Sequence, residues 1–156
     1  MADARHHKSP LHDLGVLVAR LVLGTVMIAH GWQKYAGTGL AETQRGFAQM
    51  GIPSPRLAAG FTIGIELVGG ALVIVGLLLP LVGVVYTAVL AGAMFFAHLG
   101  NGFYASEGGF EFVLVLAGLS LALACIGAGR YSVDGAVSRR WRARRARSLP
   151  ATAKTT

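Results

Sequence analysis

Six residues of this chain place charge or proton chemistry inside stretches that are otherwise apolar: Arg20, His30, Lys34, Glu66, His98 and Glu111. Histidine changes charge near neutral pH and a carboxylate accepts or releases a proton. A group of this kind at a membrane level therefore suits proton exchange with a quinone head or a small acid. Such side chains are expensive in hydrocarbon. An arginine at mid-span costs at least ~2.5 kcal/mol, so the fold must supply compensation. Two histidines on separate helices also invite a haem or metal reading. No haem-attachment motif and no third ligand accompany them, and His6 and His7 stand on a short polar arm, so no metal is expected.

The elements that must carry these residues are long and apolar. The chain of 156 residues is 54% hydrophobic and only 13% charged, with a mean hydropathy of +0.59. A soluble domain of this size has too little interior to hide so much apolar surface. The pattern predicts an all-α membrane protein, a bundle of four transmembrane helices at about 14–34, 56–79, 81–99 and 110–126. Residues 1–13 read as a cytoplasmic arm with Asp13 as helix cap, 14–134 as the membrane domain, and 135–156 as a basic cytoplasmic tail. Between the first two spans, Leu40 to Met50 reads as a short amphipathic segment lying at the surface or re-entering it.

On the first span Arg20, Gly24, Met27, Gly31 and Lys34 share one face, and its two glycines permit close approach of a neighbouring helix. Glu66, Gly70 and Val73 share a face of the second span. Glu111, Gly118, Ala122 and Cys125 form a small-residue stripe on the fourth, so Cys125 reads as a packed core thiol; a single cysteine excludes an intramolecular disulfide. The endings Ile28-Ala29-His30-Gly31 and Phe96-Ala97-His98-Leu99-Gly100 echo each other, and each precedes a helix bearing a glutamate. This suggests two hairpin repeats related by an axis along the membrane normal.

Basic residues set the orientation. Six arginines, Arg139, Arg140, Arg142, Arg144, Arg145 and Arg147, follow the last span. A juxtamembrane cluster of this kind marks the cytoplasmic side and attracts anionic headgroups. The net charge of +7 is therefore assigned to the membrane surface and not to nucleic acid. With both termini cytoplasmic, His30, Lys34, His98 and Glu111 gather at the outer level as a polar pocket. Helix rise then sets Arg20 and Glu66 roughly 6–7 Å apart in height, within reach of an arginine side chain. An intramembrane ion pair Arg20–Glu66 is the expectation.

The order of these features resembles the DoxX family of small four-helix membrane proteins. The resemblance rests on Arg20-Leu21-Val22-Leu23-Gly24, His30-Gly31 with Lys34, Glu66-Leu67-Val68-Gly69-Gly70, His98, Glu111, and the closing Gly127-x-Gly129-x-x-Ser132-x-Asp134. It covers roughly Asp13 to Asp134; the arginine-rich tail lies outside it. The family takes its name from a subunit of a membrane-bound thiosulfate:quinone oxidoreductase, and other members are linked to redox homeostasis. The resemblance thus implies a subunit of a redox complex in a bacterial plasma membrane, with quinone as the group handled and a redox protein or a second copy of the chain as partner. The sequence holds no nucleotide-binding glycine loop, cysteine pair or metal motif, so no cofactor is intrinsic and any catalysis needs a partner. Two other readings use the same residues: a carrier of a small acid or protons, and a scaffold that recruits a cytoplasmic enzyme through its tail.

Overall fold

The computed structural model describes residues 9–148. Residues 1–8, with His6 and His7 of the expected arm, and 149–156 of the tail lie outside the described residues. Every element among the described residues is helical. Helix α1 covers Pro10–Thr38, α2 Leu40–Gln49, α3 Pro55–Val75, α4 Leu79–Asn101, α5 Glu111–Ile126 and α6 Val133–Ser148. Helices α1, α3 and α4 are long and apolar enough to cross a membrane. Helix α5 is apolar but has 16 residues, about 24 Å of helix.

The local causes are legible. Ser9 caps α1, its hydroxyl accepting from His12 N at 3.2 Å, with Pro10 in the first turn. Asp13 is therefore not the cap. It is buried, and its carboxylate accepts from Arg130 N at 3.0 Å, across to the chain that follows α5. The amphipathic segment expected near residue 40 is α2. Helix α3 stops at Val75, four residues before the expected end, because Gly76 turns left-handed (φ 69°) and its amide returns to Val73 O at 3.1 Å. This is a glycine helix stop. Pro80 then sits in the first turn of α4 and starts that helix instead of ending the one before.

Packing follows two pairs, α1 against α3 and α4 against α5. Lipid tails are as apolar as the helices, so close backbone contact must hold such pairs. At the α1–α3 crossing, Gly24 and Gly70 face each other. A Cβ on Gly24 would lie 2.7 Å from Gly70 O, and one on Gly70 would lie 2.8 Å from Gly24 O. In the second pair Gly83 meets Ser120 O, which a Cβ would approach to 2.8 Å. The core between the pairs is Leu23, Met27, Val73, Tyr86, Leu90, Leu116 and Leu123. Helix α5 buries Val113, Leu116, Ser120 and Leu123. The expected small-residue stripe is not its packed face: Gly118 and Ala122 stand in the open and Cys125 is exposed. The one glycine that this pair needs lies on α4, so α5 can present ordinary side chains to it.

Gly70→Ala is expected to lower stability by about 1–3 kcal/mol, because the new methyl meets backbone that cannot yield. Gly60→Ala, where a Cβ meets nothing within 4 Å, serves as control. Thermal unfolding in mild detergent separates them, and equal midpoints for the two variants would refute the crossing.

Candidate functional site

Two polar centres lie at opposite ends of the α1–α3 pair. The first is built around Arg20, which is 1% exposed. Its Nε donates to Val73 O at 2.9 Å and Nη2 to Ile74 O at 2.6 Å. Nη1 donates to both Ala128 O and Tyr131 O at 2.8 Å. The carbonyls at a helix C-terminus have no intrahelical partner and carry partial negative charge, so a guanidinium fork is well matched to them. Around it the Gly-x-Gly-x-x-Ser-x-Asp ending closes as a knot. Ser132 Oγ donates to Gly129 O at 2.6 Å and accepts from Gly135 N at 2.9 Å. Asp134 N donates to Gly76 O at 3.1 Å, and its carboxylate accepts from Leu79 N at 3.3 Å. Arg20 is thus a structural clasp joining α1, the end of α3 and the chain after α5.

The second centre holds the ion pair. Lys34 Nζ lies 2.8 Å from Glu66 Oε1 and 2.9 Å from Oε2. The expected Arg20–Glu66 pair is therefore not formed; each residue has another partner. The reason is register. With Gly24 against Gly70 in antiparallel helices, Arg20 falls opposite Ile74, eight residues and about 12 Å from Glu66. Lys34, in the last turns of α1, reaches the carboxylate instead.

Three widened turns surround this pair. Helices α1, α3 and α4 each widen into a π-turn, at Gln33–Thr38, Ile65–Gly69 and Met94–His98. These turns carry Lys34, Glu66 and His98. A π-turn adds a residue to the turn and frees carbonyls, and such turns recur at functional sites. Here the freed carbonyls find a partner. Tyr86, fully buried, donates from its hydroxyl to Ile65 O at 3.1 Å, with Glu66 O at 3.3 Å. Charge and spacing do not single out Tyr86; its signal in the sequence is a phenol hydroxyl within an apolar span. Gly69 leaves room for that hydroxyl, since a Cβ there would lie 2.9 Å from it.

Beside the pair lies a cavity of about 240 Å³. Lys34, Glu66, His30 and His98 meet there with Met27, Leu90, Phe112 and Leu116, and Ala105, Gly108 and Gly109 form one wall. His98 Nδ1 lies 2.8 Å from Gly108 O. A carbonyl only accepts, so Nδ1 carries the hydrogen and Nε2 is the nitrogen able to take a proton. The His30 ring packs 6.1 Å from that of Phe112. Glu111, expected in this pocket, is not among the residues lining it; its carboxylate accepts from Ala105 N at 2.8 Å and pins the loop that forms the wall. Among the described residues no three His, Cys, Asp or Glu side chains are grouped to hold a metal. The tail arginines Arg139, Arg140, Arg142, Arg144, Arg145 and Arg147 all lie on α6.

A family model described as DoxX matches residues 15–99. This chain belongs to the DoxX family. The match runs from α1 to the π-turn of α4 and so includes Arg20, His30, Lys34, Glu66 and His98. Among relatives, the inner membrane protein YqjF of Escherichia coli (strain K12) is 33% identical over 134 residues, covering 84% of this chain and 98% of its own length. A Bacillus subtilis (strain 168) protein named "Putative oxidoreductase CatD" is 33% identical over 111 residues, 71% of this chain and 79% of that protein. No solved structure matches the chain significantly. The protein is thus a membrane protein of the DoxX family.

Two measurements test the centres. Arg20→Leu removes four hydrogen bonds to buried or part-buried carbonyls and is expected to cost about 3 kcal/mol or more in detergent unfolding. Arg20→Lys should recover only part, because an ammonium lacks the fork. In double-mutant cycles, Lys34→Met with Glu66→Gln should show a coupling of about 1–2 kcal/mol, kept modest by the partial exposure of Lys34. Arg20→Leu with Glu66→Gln should be additive within about 0.5 kcal/mol. Coupling in the second cycle and none in the first would restore the pairing expected from sequence.

Proposed function

We propose that this DoxX-family protein is a subunit of a membrane redox complex in the bacterial plasma membrane, and that the cavity beside Lys34–Glu66 holds a quinone head. The observation that carries the reading is the meeting of an apolar wall with proton-exchanging groups in one cavity: Met27, Leu90, Phe112 and Leu116 face His30, His98 and the ion pair. A planar head of moderate polarity fits that mixture. Apolar walls bury the ring, while a few placed polar groups orient it. A bound quinone supplies two-electron, two-proton chemistry, and the electrons come from a redox partner protein of the complex.

The chain's own residues hold and move protons. His98 is fixed by Gly108 O and offers Nε2 as its exchangeable position. His30 provides a second imidazole on the opposite helix pair. Lys34 and Glu66 hold each other in place and supply both a donor and an acceptor at the cavity's edge. In this reading α5 is a fourth span, short enough to need local thinning of the bilayer. The pairings of α1 with α3 and of α4 with α5 support two hairpin repeats. Helix α6 carries its arginines to anionic headgroups on the cytoplasmic side, where both termini lie.

The test is purification in mild detergent followed by mass spectrometry of the extracted small molecules. Quinone is expected with the wild-type protein and is expected to be lost with Glu66→Gln at unchanged yield. Wild-type protein that binds neither native nor added quinone would end this reading.

A further inference from the structure

A second cavity, of about 320 Å³, lies on the other side of the ion pair, beneath α2. Its apolar wall is made by Phe47 and Met50 of the α2 segment, Ile52, Val89 and Phe96. Lys34, Glu66, Leu90, Ala93 and His98 line both cavities. The two spaces are therefore neighbours that share one partition, and the polar part of that partition is Lys34, Glu66 and His98. The wall of the second cavity also reaches the surface: its members Met50 and Phe96 are 44% and 38% exposed.

An aqueous solute would find little here to bind: away from the partition, Thr62 is the cavity's one polar side chain. An apolar chain would find a trough with a charged end. We propose that the cavity beneath α2 receives the apolar tail of a single-tailed amphiphile whose polar head meets Lys34, Glu66 and His98, and that this amphiphile enters from the lipid between α2 and α4. The occupant's chemistry follows from the arrangement: an aliphatic or isoprenoid tail for the trough, and a head that accepts from an ammonium or donates to a carboxylate. A quinone of the membrane and a free fatty acid share that chemistry. The identification with a quinone rests on the function proposed above; the tail site does not.

Full-length protein in detergent is to be labelled with a fatty acid carrying a diazirine in mid-chain, in the presence and absence of decyl-quinone, and digested for mass spectrometry. Labels are expected on the peptides holding Phe47–Ile52 and Val89–Ala97. Gly92 lines this cavity and has no atom within 4 Å of where its Cβ would stand. Gly92→Leu therefore starts from a Cβ that meets no neighbour and adds bulk to the wall of the trough, and it should cut labelling about tenfold, as expected when roughly two buried methylenes are displaced. Ala58→Leu, on the facing wall, should act alike, so the result does not hang on one variant. Labelling that decyl-quinone suppresses supports the tail site and the quinone together. Labelling that only unlabelled fatty acid suppresses keeps the tail site and removes the quinone. Absent labelling, or labelling undiminished in both folded variants, overturns the proposal.

Discussion

The contact between Gly24 and Gly70 governs the rest of this structure. In lipid no hydrophobic force draws helices together, so a pair is held by how closely its backbones approach. Two facing glycines bring α1 and α3 to that approach and so set their register. From it follow both polar centres. Arg20 falls at the end of α3, where carbonyls are free, and Glu66 falls within reach of Lys34 at the other end. Displaced by one turn, either charge would lack its partner.

The two centres use opposite ways of making a charge tolerable. Arg20 gives its hydrogens to four carbonyls, two at the end of α3 and two in the chain that follows α5, and so replaces a water shell with fixed dipoles. That arrangement is rigid and closed, which suits a clasp. Lys34 and Glu66 neutralise each other, and Lys34 keeps part of its side chain accessible. Intramembrane ionisable groups are usually functional, and here the division is clear. The arginine organises the chain ends, and the ion pair faces the cavities.

The three π-turns give the site its width. Each carries a polar residue of the site and turns it inward by adding a residue to an otherwise regular helix. The carbonyls freed at Glu66 are answered by Tyr86 from α4, so the widened turn is tied to the second helix pair. The polar residues of the cavity thus sit on widened turns of helices that continue through them, with no break in the spans that hydrocarbon would penalise.

Much of this protein is determined by the sequence alone. The apolar runs demand helices, because only a helix satisfies its own backbone in lipid. The spacing of Arg20, Gly24, Met27 and Gly31 marks the packed face of α1, since side chains three and four apart share one face. The order of motifs marks the family. Lys34, Glu66, His30 and His98 stand out as polar residues in apolar surroundings. Which charge meets which was decided by tertiary structure, because helix ends estimated from hydropathy err by several residues and a shift of one turn exchanges partners. The same limit applies to Glu111: hydropathy sets it at the level of the pocket, but its carboxylate serves the backbone of its own loop. Cys125 faces outward for a related reason. A helix that is apolar on nearly every side, as α5 is, offers little contrast between the lipid side and the protein side, and the position of a neighbouring helix supplies it.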